Sequence, residues 1–328
     1  MLFSRRNILS SLILTGCGSS LKNFPFDPPV SQIPQNALEI FFHSVCCFRI
    51  QWKETALLSD PFFTHLSIPE LYLKPVAPQI SATISHQKSF NAVKAIVVGH
   101  SHHDHVLDLP AISTHLHQEA IILGSETLKN MYANANLDQN IISVNNKAAH
   151  STNKGDWTYT KDRSLRVLPI RSEHPNQYLF FHIYQGHHTA PLKDPPKRLG
   201  EFLEGETYGY LIDFLENDSV QYRVYIQTTS TGFPTGNFPQ IILEEHNIDV
   251  AILAMDCITK KIKGKPSIID FLNPKMIFVC HYENFFRSKD VHPKEGLKVN
   301  LKKVKKYIEK QDLRYIIPSQ ESRYVFEH

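Results

Sequence analysis

Residues 99–105 read Gly-His-Ser-His-His-Asp-His, so His100, His102, His103 and His105 crowd around Asp104 within six positions. Four imidazoles and a carboxylate in so short a run are costly to bury unless a cation satisfies their nitrogens and charge. His100 and His102 are two apart, which in an extended chain puts both on one side. Asp104 and His105 fall in the turn that follows and can aim at a second point. Nitrogen and oxygen donors of this kind suit zinc, with manganese or iron admitted where a carboxylate takes part. The chain holds 18 histidines in 328 residues, and neutral imidazole is the commonest metal ligand, so a metal site is the first chemistry to consider.

Such a cluster needs a stiff support. Lys94–Val98, immediately before it, is a short β-branched run that predicts a strand buried on both faces. Val250–Ala254 and Met276–Cys280 repeat that character. Leu38–Phe42, Cys47–Trp52 and Thr55–Ser59 predict three short strands, the third ended by Asp60-Pro61. Further strands are expected at Ile121–Leu123, Leu165–Pro169, Gly209–Phe214 and Gln221–Ile226, and helices over Leu109–His117, Glu126–Ala135 and Leu301–Ile308. The last helix carries Leu301, Val304 and Ile308 on one stripe and Lys302, Lys303, Lys305 and Lys306 on a solvated face. Strand pairs alternating with helices, without a repeat, indicate a layered α/β domain. An apolar fraction of 42% with 20% charged residues excludes a disordered or collagen-like chain. A net charge of +3 gives no reason to expect nucleic acid as a partner.

The N-terminus reads differently from the rest. Arg5-Arg6 precedes a short apolar run, Ile8–Leu14, and then Leu14-Thr15-Gly16-Cys17. The run is too short to span a bilayer as a helix, which takes roughly 20 residues. It reads as a bacterial export signal over residues 1–17, and Leu-Thr-Gly-Cys resembles the lipobox of bacterial lipoproteins, in which Cys17 is acylated and anchors the chain to a membrane. Ser4–Leu9 also resembles a twin-arginine export motif. Residues 18–36 carry four prolines and no period, which predicts an extended tether, with the folded domain over 37–328. Four further cysteines, Cys46, Cys47, Cys257 and Cys280, are too few for a disulfide scaffold and read as small buried hydrophobes.

The run from His100 to His105 fits the His-x-His-x-Asp-His motif of the metallo-β-lactamase superfamily. Phe41-Phe42-His43-Ser44 with Leu57-Leu58-Ser59-Asp60-Pro61-Phe62 resembles the opening hairpins of the branch that includes a sugar-phosphate lactonase and the N-acyl-phosphatidylethanolamine phospholipase D-like enzymes. Leu168–His174 is similar to the family's third motif and Ile277–His281 to its last, so the resemblance covers roughly residues 38 to 320. It implies an α/β fold, a four-layer αβ/βα sandwich with the metal site at one edge of its two sheets. It further implies that His100, His102 and His174 hold one metal, and that Asp104, His105 and His281 hold a second. A hydroxide between the ions would then attack an ester, lactone, amide or phosphodiester of a small-molecule substrate, with Asp104 as a catalytic group. Asp60 has two readings, a partner that orients a ligand imidazole or a plain Asp-Pro turn. His43, Tyr282, Asn284, Phe285 and Phe286 are candidates to line a pocket, and Gln185–Gly205, with His187 and His188, reads as a loop or lid beside it.

One departure stands out. Related enzymes place a metal-bridging aspartate after the strand that here ends Tyr225-Ile226, but this chain continues Gln227-Thr228-Thr229-Ser230-Thr231-Gly232 without a carboxylate. Neutral oxygens are weaker ligands for hard cations, so one tight and one weaker ion are expected. Asp256 is the candidate substitute, or else a cap on the following turn. Two functions follow: a metal-dependent hydrolase of the bacterial envelope, or a degenerate, non-catalytic metal-binding envelope protein that recognises a ligand or partner.

Overall fold

The computed structural model describes residues 18–80, 90–137, 139–176, 184–259, 266–287, 293–296 and 299–328. The expected export signal and Cys17 lie outside the described residues.

The first sheet runs β1 (Leu38–Ser44), β2 (Cys47–Trp52), β3 (Thr55–Ser59), β4 (Val93–Val97), β5 (Ile121–Gly124), β6 (Ile141–Ser143), with β14 (Ser322–Phe326) added outside β1. Its hairpins are antiparallel up to β3, and β3 to β6 are parallel. The second sheet has the order β13 (Arg314–Ile316), β12 (Met276–Cys280), β11 (Val250–Ala254), β10 (Ser219–Gln227), β9 (Tyr208–Glu216), β8 (Leu165–Arg171), β7 (Thr158–Tyr159). Its first four strands are parallel and its last four antiparallel. The sheets pack face to face, Phe48 of β2 meeting Phe278 of β12 edge-on at 6.5 Å. Because both faces of the central strands are covered, β11 and β12 are buried at every residue, as their unbroken apolar runs require.

Helices flank the sheets: α1 (Ile68–Leu73), α2 (His103–Val106), α3 (Leu109–Ser113), α4 (Glu126–Met131), α5 (Met255–Thr259), α6 (Ile268–Leu272) and α7 (Leu301–Glu309). The helix expected to reach Ala135 stops at Met131. There Asn130 and Asn134 donate their side-chain amides to the carbonyls of His188 and Leu192, a tertiary contact that no local periodicity carries. Among the described residues no helix is long and apolar enough to cross a membrane. The described cysteines are all free and buried.

Residues 18–36 form no helix or strand, but they do not stand clear of the domain. Leu21 is only 3% exposed and donates its backbone N–H to Pro293, and Phe26 packs on Tyr282 at 5.8 Å. Asp27 accepts from the Ile317 N–H through its side chain, and its backbone N–H donates to the Ile317 carbonyl. The folded part therefore begins before Ala37. Leu21, Phe24 and Phe26 supply apolar anchors that a period-based reading passes over.

Candidate metal centre

The parallel strand β4 ends at Val97, and the ligand-rich run starts two residues on, at the carboxyl end of the strand, where open α/β sheets place their sites. Gly99 is required there. A Cβ on it would lie 2.2 Å from Thr228 Oγ1 and 3.4 Å from Asp60 Oδ2. Three bonds hold the loop: the Gly99 N–H donates to Asp60 Oδ1 at 2.7 Å, Tyr208 N–H donates to the Gly99 carbonyl at 2.8 Å, and Tyr210 OH donates to the Val98 carbonyl at 2.7 Å. The tyrosines come from β9, so the second sheet fixes a loop that belongs to the first.

His100, His102 and His174 converge, with ring centroids 4.6–4.9 Å apart. His174 comes from the loop after β8 and donates its Nδ1–H to the Pro175 carbonyl, 2.8 Å away. Asp104, His105 and His281 form a second group, with Asp104 Oδ2 3.5 Å from His105 Nε2 and 3.6 Å from His281 Nε2. Donors bound to one tetrahedral zinc at ordinary bond lengths lie about 3.4 Å apart, so these spacings suit a single ion. Within each group the potential ligand atoms all fall within 4.8 Å of one another. The groups abut through His100 and His105, whose rings are 3.9 Å apart. His100 Nδ1 and Nε2, His102 Nε2 and His105 Nε2 are buried and make no hydrogen bond. Several orphaned imidazole nitrogens facing one another fit a cation, since otherwise each would carry its full desolvation cost.

Electrostatics separates the two groups. Burial, followed by the neighbouring imidazoles, drives His100 well below the usual histidine range, and burial brings His102 down to about 4. His174 is lowered well below the ordinary value of 6.5, again chiefly by burial. Burial also lowers His105, but the carboxylates of Asp60 and Asp104 outweigh it and raise the imidazole to about 10. Burial pushes Asp104 up, yet the charge of His105 and the closeness of His281 and His103 hold it well below the carboxylate range.

Asp60 combines its two readings. It sits in the turn after β3 at φ 36, and its Oδ2 accepts from His105 Nδ1 at 2.8 Å, which aims His105 Nε2 at Asp104. Asp256 lies on α5 and belongs to none of the candidate ligand groups. His43 is buried on Phe41, Phe63 and Phe90 and pairs with Glu321, so it belongs to the core. His188 bonds to the Glu201 carbonyl, and His187 stands 3.5 Å from Glu206.

Three supports have no local sequence signal. Val45, β-branched, is held at φ 51, a conformation that costs on the order of 1–3 kcal/mol. Its N–H donates to Glu283 Oε1 at 2.5 Å, and its carbonyl accepts from the N–H of His281, itself at φ 56. The β1–β2 turn and Glu283 thus fix the backbone of His281, the last candidate ligand. Beneath His105, Cys46 Sγ lies 3.8 Å from both the Thr228 carbonyl and Cys280 Sγ, so two thiols and a backbone carbonyl lie under the centre. Asp108, buried, accepts from the N–H groups of Phe63 and Thr64 and from the Thr64 hydroxyl, tying the turn after Asp60 to the start of α3.

The centre opens on two unlike surfaces. Beside His174 is a cleft of about 960 Å³ lined by Arg171, Glu173, Glu204, Glu206 and Tyr208. Beside His281 are Phe285, 5.7 Å away, and Phe286, which stacks on His103 at 5.8 Å. Burial holds His103 at about 4 and keeps its ring neutral in that wall.

No family model matches the chain, and no curated protein matches it. Among solved structures it is similar to a novel metallo hydrolase from the hyperthermophilic archaeon Ignicoccus hospitalis, at 15% identity and a TM-score of 0.50 over 89% of this chain and 99% of that one. It is similar to an isothiocyanate hydrolase from Delia radicum gut bacteria, at 13% identity and 0.50, over 88% of this chain and 100% of that one. It is also similar to CmlA, a diiron β-hydroxylase from Streptomyces venezuelae, at 11% identity and 0.52, over 91% of this chain but 55% of the longer relative. At such identities the likeness is one of fold. Two mixed seven-stranded sheets packed face to face between helices, with the His-x-His-x-Asp-His loop at their shared edge, give this chain the αβ/βα sandwich of the metallo-β-lactamase fold.

Proposed function

We propose that the protein is a metal-dependent hydrolase acting on an ester, lactone or phosphodiester in the bacterial envelope, held to a membrane through Cys17. The observation that carries this reading is the pair of abutting ligand groups, His100–His102–His174 and Asp104–His105–His281, with orphaned buried imidazole nitrogens turned inward. Two divalent ions held there, zinc in the first instance and manganese or iron otherwise, would supply Lewis acidity and a water of lowered pKa. The chain's own parts do the positioning. Asp60 fixes the tautomer and aim of His105, Glu283 and Val45 fix His281, and Asp104 sets a carboxylate between two imidazoles of the second group. The cleft with Arg171 and three glutamates accepts the polar part of a substrate, and Phe285 and Phe286 shield the other side from water.

Metal content and turnover on a panel of esters, lactones and phosphodiesters test this. Two ions per chain are expected, with hydrolysis lost in EDTA and in His102→Ala. A fully metallated chain that turns over none of the panel would favour the second reading, a non-catalytic metal-binding protein. That reading draws on the 227–232 segment, which carries no carboxylate and meets Cys46 through the Thr228 carbonyl.

A further inference from the structure

Gly18 follows the proposed lipid-bearing Cys17 directly, and the chain is already docked there. A Cβ on Gly18 would lie 1.9 Å from the Glu295 carbonyl, Ser20 pairs with Lys294, and the Glu295 N–H donates to the Ser19 carbonyl at 2.9 Å. Glu295 also joins this segment to α7, accepting from the Leu301 N–H at 2.8 Å. Helix α7 buries Leu301, Val304 and Ile308 against the domain and leaves Lys302, Lys303 and Lys306 exposed. Among the described residues none of these three ammonium groups is paired with a carboxylate, whereas Lys305 is paired with Glu309. Lys22, exposed, and Lys294, half-buried, border the same place. Residues 287–314 carry an excess of six positive charges, against +3 for the whole chain, so the remainder of the molecule is net negative.

From this placement we propose that the face formed by residues 18–22 and the lysine side of α7 is a second membrane contact, made to anionic phospholipid headgroups. The proposal rests on the envelope reading above, because a lipid on Cys17 would leave almost no slack between bilayer and domain. Isolated exposed lysines are ordinary, but lysines gathered around the entry point of an acyl anchor meet a negative surface each time the anchor inserts. Each contributes severalfold to partition near a leaflet of negative potential. The same contact orients the metal centre. Glu283 bridges to Glu295, and the Asn284 N–H donates to the Lys294 carbonyl at 2.8 Å, so the segment after His281 pairs with the strip on which Gly18 rests. Substrate would reach Phe285 and Phe286 from the headgroup region.

The test uses the full chain with Cys17→Ser, which cannot be acylated there, and the same chain also carrying Lys302→Glu, Lys303→Glu and Lys306→Glu. Both are sedimented with phosphatidylglycerol–phosphatidylcholine vesicles and with phosphatidylcholine vesicles. The apolar run at residues 8–14 is common to both chains and cancels in the comparison. Charge reversal is expected to lower partition to the anionic vesicles roughly a hundredfold at low salt, with little effect at high salt or on neutral vesicles. Metal content and thermal midpoint should be unchanged, since the lysines are exposed. Equal partition of the two chains would overturn the proposal, as would tighter binding of duplex DNA or RNA that competes the vesicles off. Acyl labelling of the unmutated chain is read separately. Absence of label with charge-dependent partition intact would remove the anchor and leave the patch.

Discussion

The two ligand groups of the centre are built from the same residue types and behave oppositely. His100, His102 and His174 are three imidazoles that burial holds neutral, so their free nitrogens are already in the form a metal ion needs. In the second group His105 lies between Asp60 and Asp104 and keeps its proton up to about pH 10, so an ion must displace that proton and break a charged triad. The carboxylate of Asp104 attracts a dication, but near neutral pH the proton competes for the same site. The first group is therefore expected to be the tighter one, with the weaker ion anticipated from the missing bridging aspartate in the second. A ligand's worth is set by what surrounds it in the metal-free protein as much as by its chemical type.

The difference between the two groups should show in four measurements. Replacing a ligand has the largest effect: His102→Ala and His281→Ala should each remove one ion per chain and lower hydrolysis at least about a hundredfold, read by metal analysis and turnover. If His281→Ala kept both ions, the second group would be wrongly drawn. Asp60→Asn leaves every ligand in place but loses the charge behind His105, and should weaken the second ion by about 10–100-fold while sparing the first. Competition against chelators of graded strength then separates the ions: two release steps are expected at pH 7, with the weaker strengthening up to about tenfold per pH unit towards pH 9 as His105 gives up its proton. A single step at both pH values would show that the groups are equivalent.

The fourth measurement is on the metal-free protein. His102 and His103 fall from an ordinary 6.5 to about 4 on folding, so the unfolded chain binds their protons more readily and stability declines as pH drops from about 6.5 to about 4. His105 has the opposite sign. Its ion triad stabilises the fold fully below about pH 6.5 and is lost as pH rises to about 10. The unfolding free energy of the metal-free chain, from urea titrations, should peak near pH 6–7 and fall on both limbs, by up to about 5 kcal/mol on the alkaline one. Loss of the alkaline limb in Asp60→Asn would assign it to the His105 triad.

Much of this centre is legible in the chain because it is local. His100 to His105 lie within six residues, and the β-branched run before them predicts the strand that presents them. The strands Cys47–Trp52, Thr55–Ser59, Val250–Ala254 and Met276–Cys280 fall where alternation and apolar runs put them, since their residues alone decide whether one face or both are buried. Edge elements such as β6 and β14 were not legible, because their half-buried strips gain order only from a neighbour. His174 and His281 needed the resemblance to a family, and Asp256 could be weighed as a substitute because the chain does not say where α5 points. What only the tertiary structure decided is non-local. Tyr208 and Tyr210 of one sheet hold the ligand loop of the other, Glu283 fixes His281 through Val45, Cys46 slides beneath His105, and residues 18–22 dock on Glu295. Spacing along the chain fixes which side chains share a face, but only the register and crossing of two sheets bring residues roughly 40 to 280 positions apart within a hydrogen bond of each other.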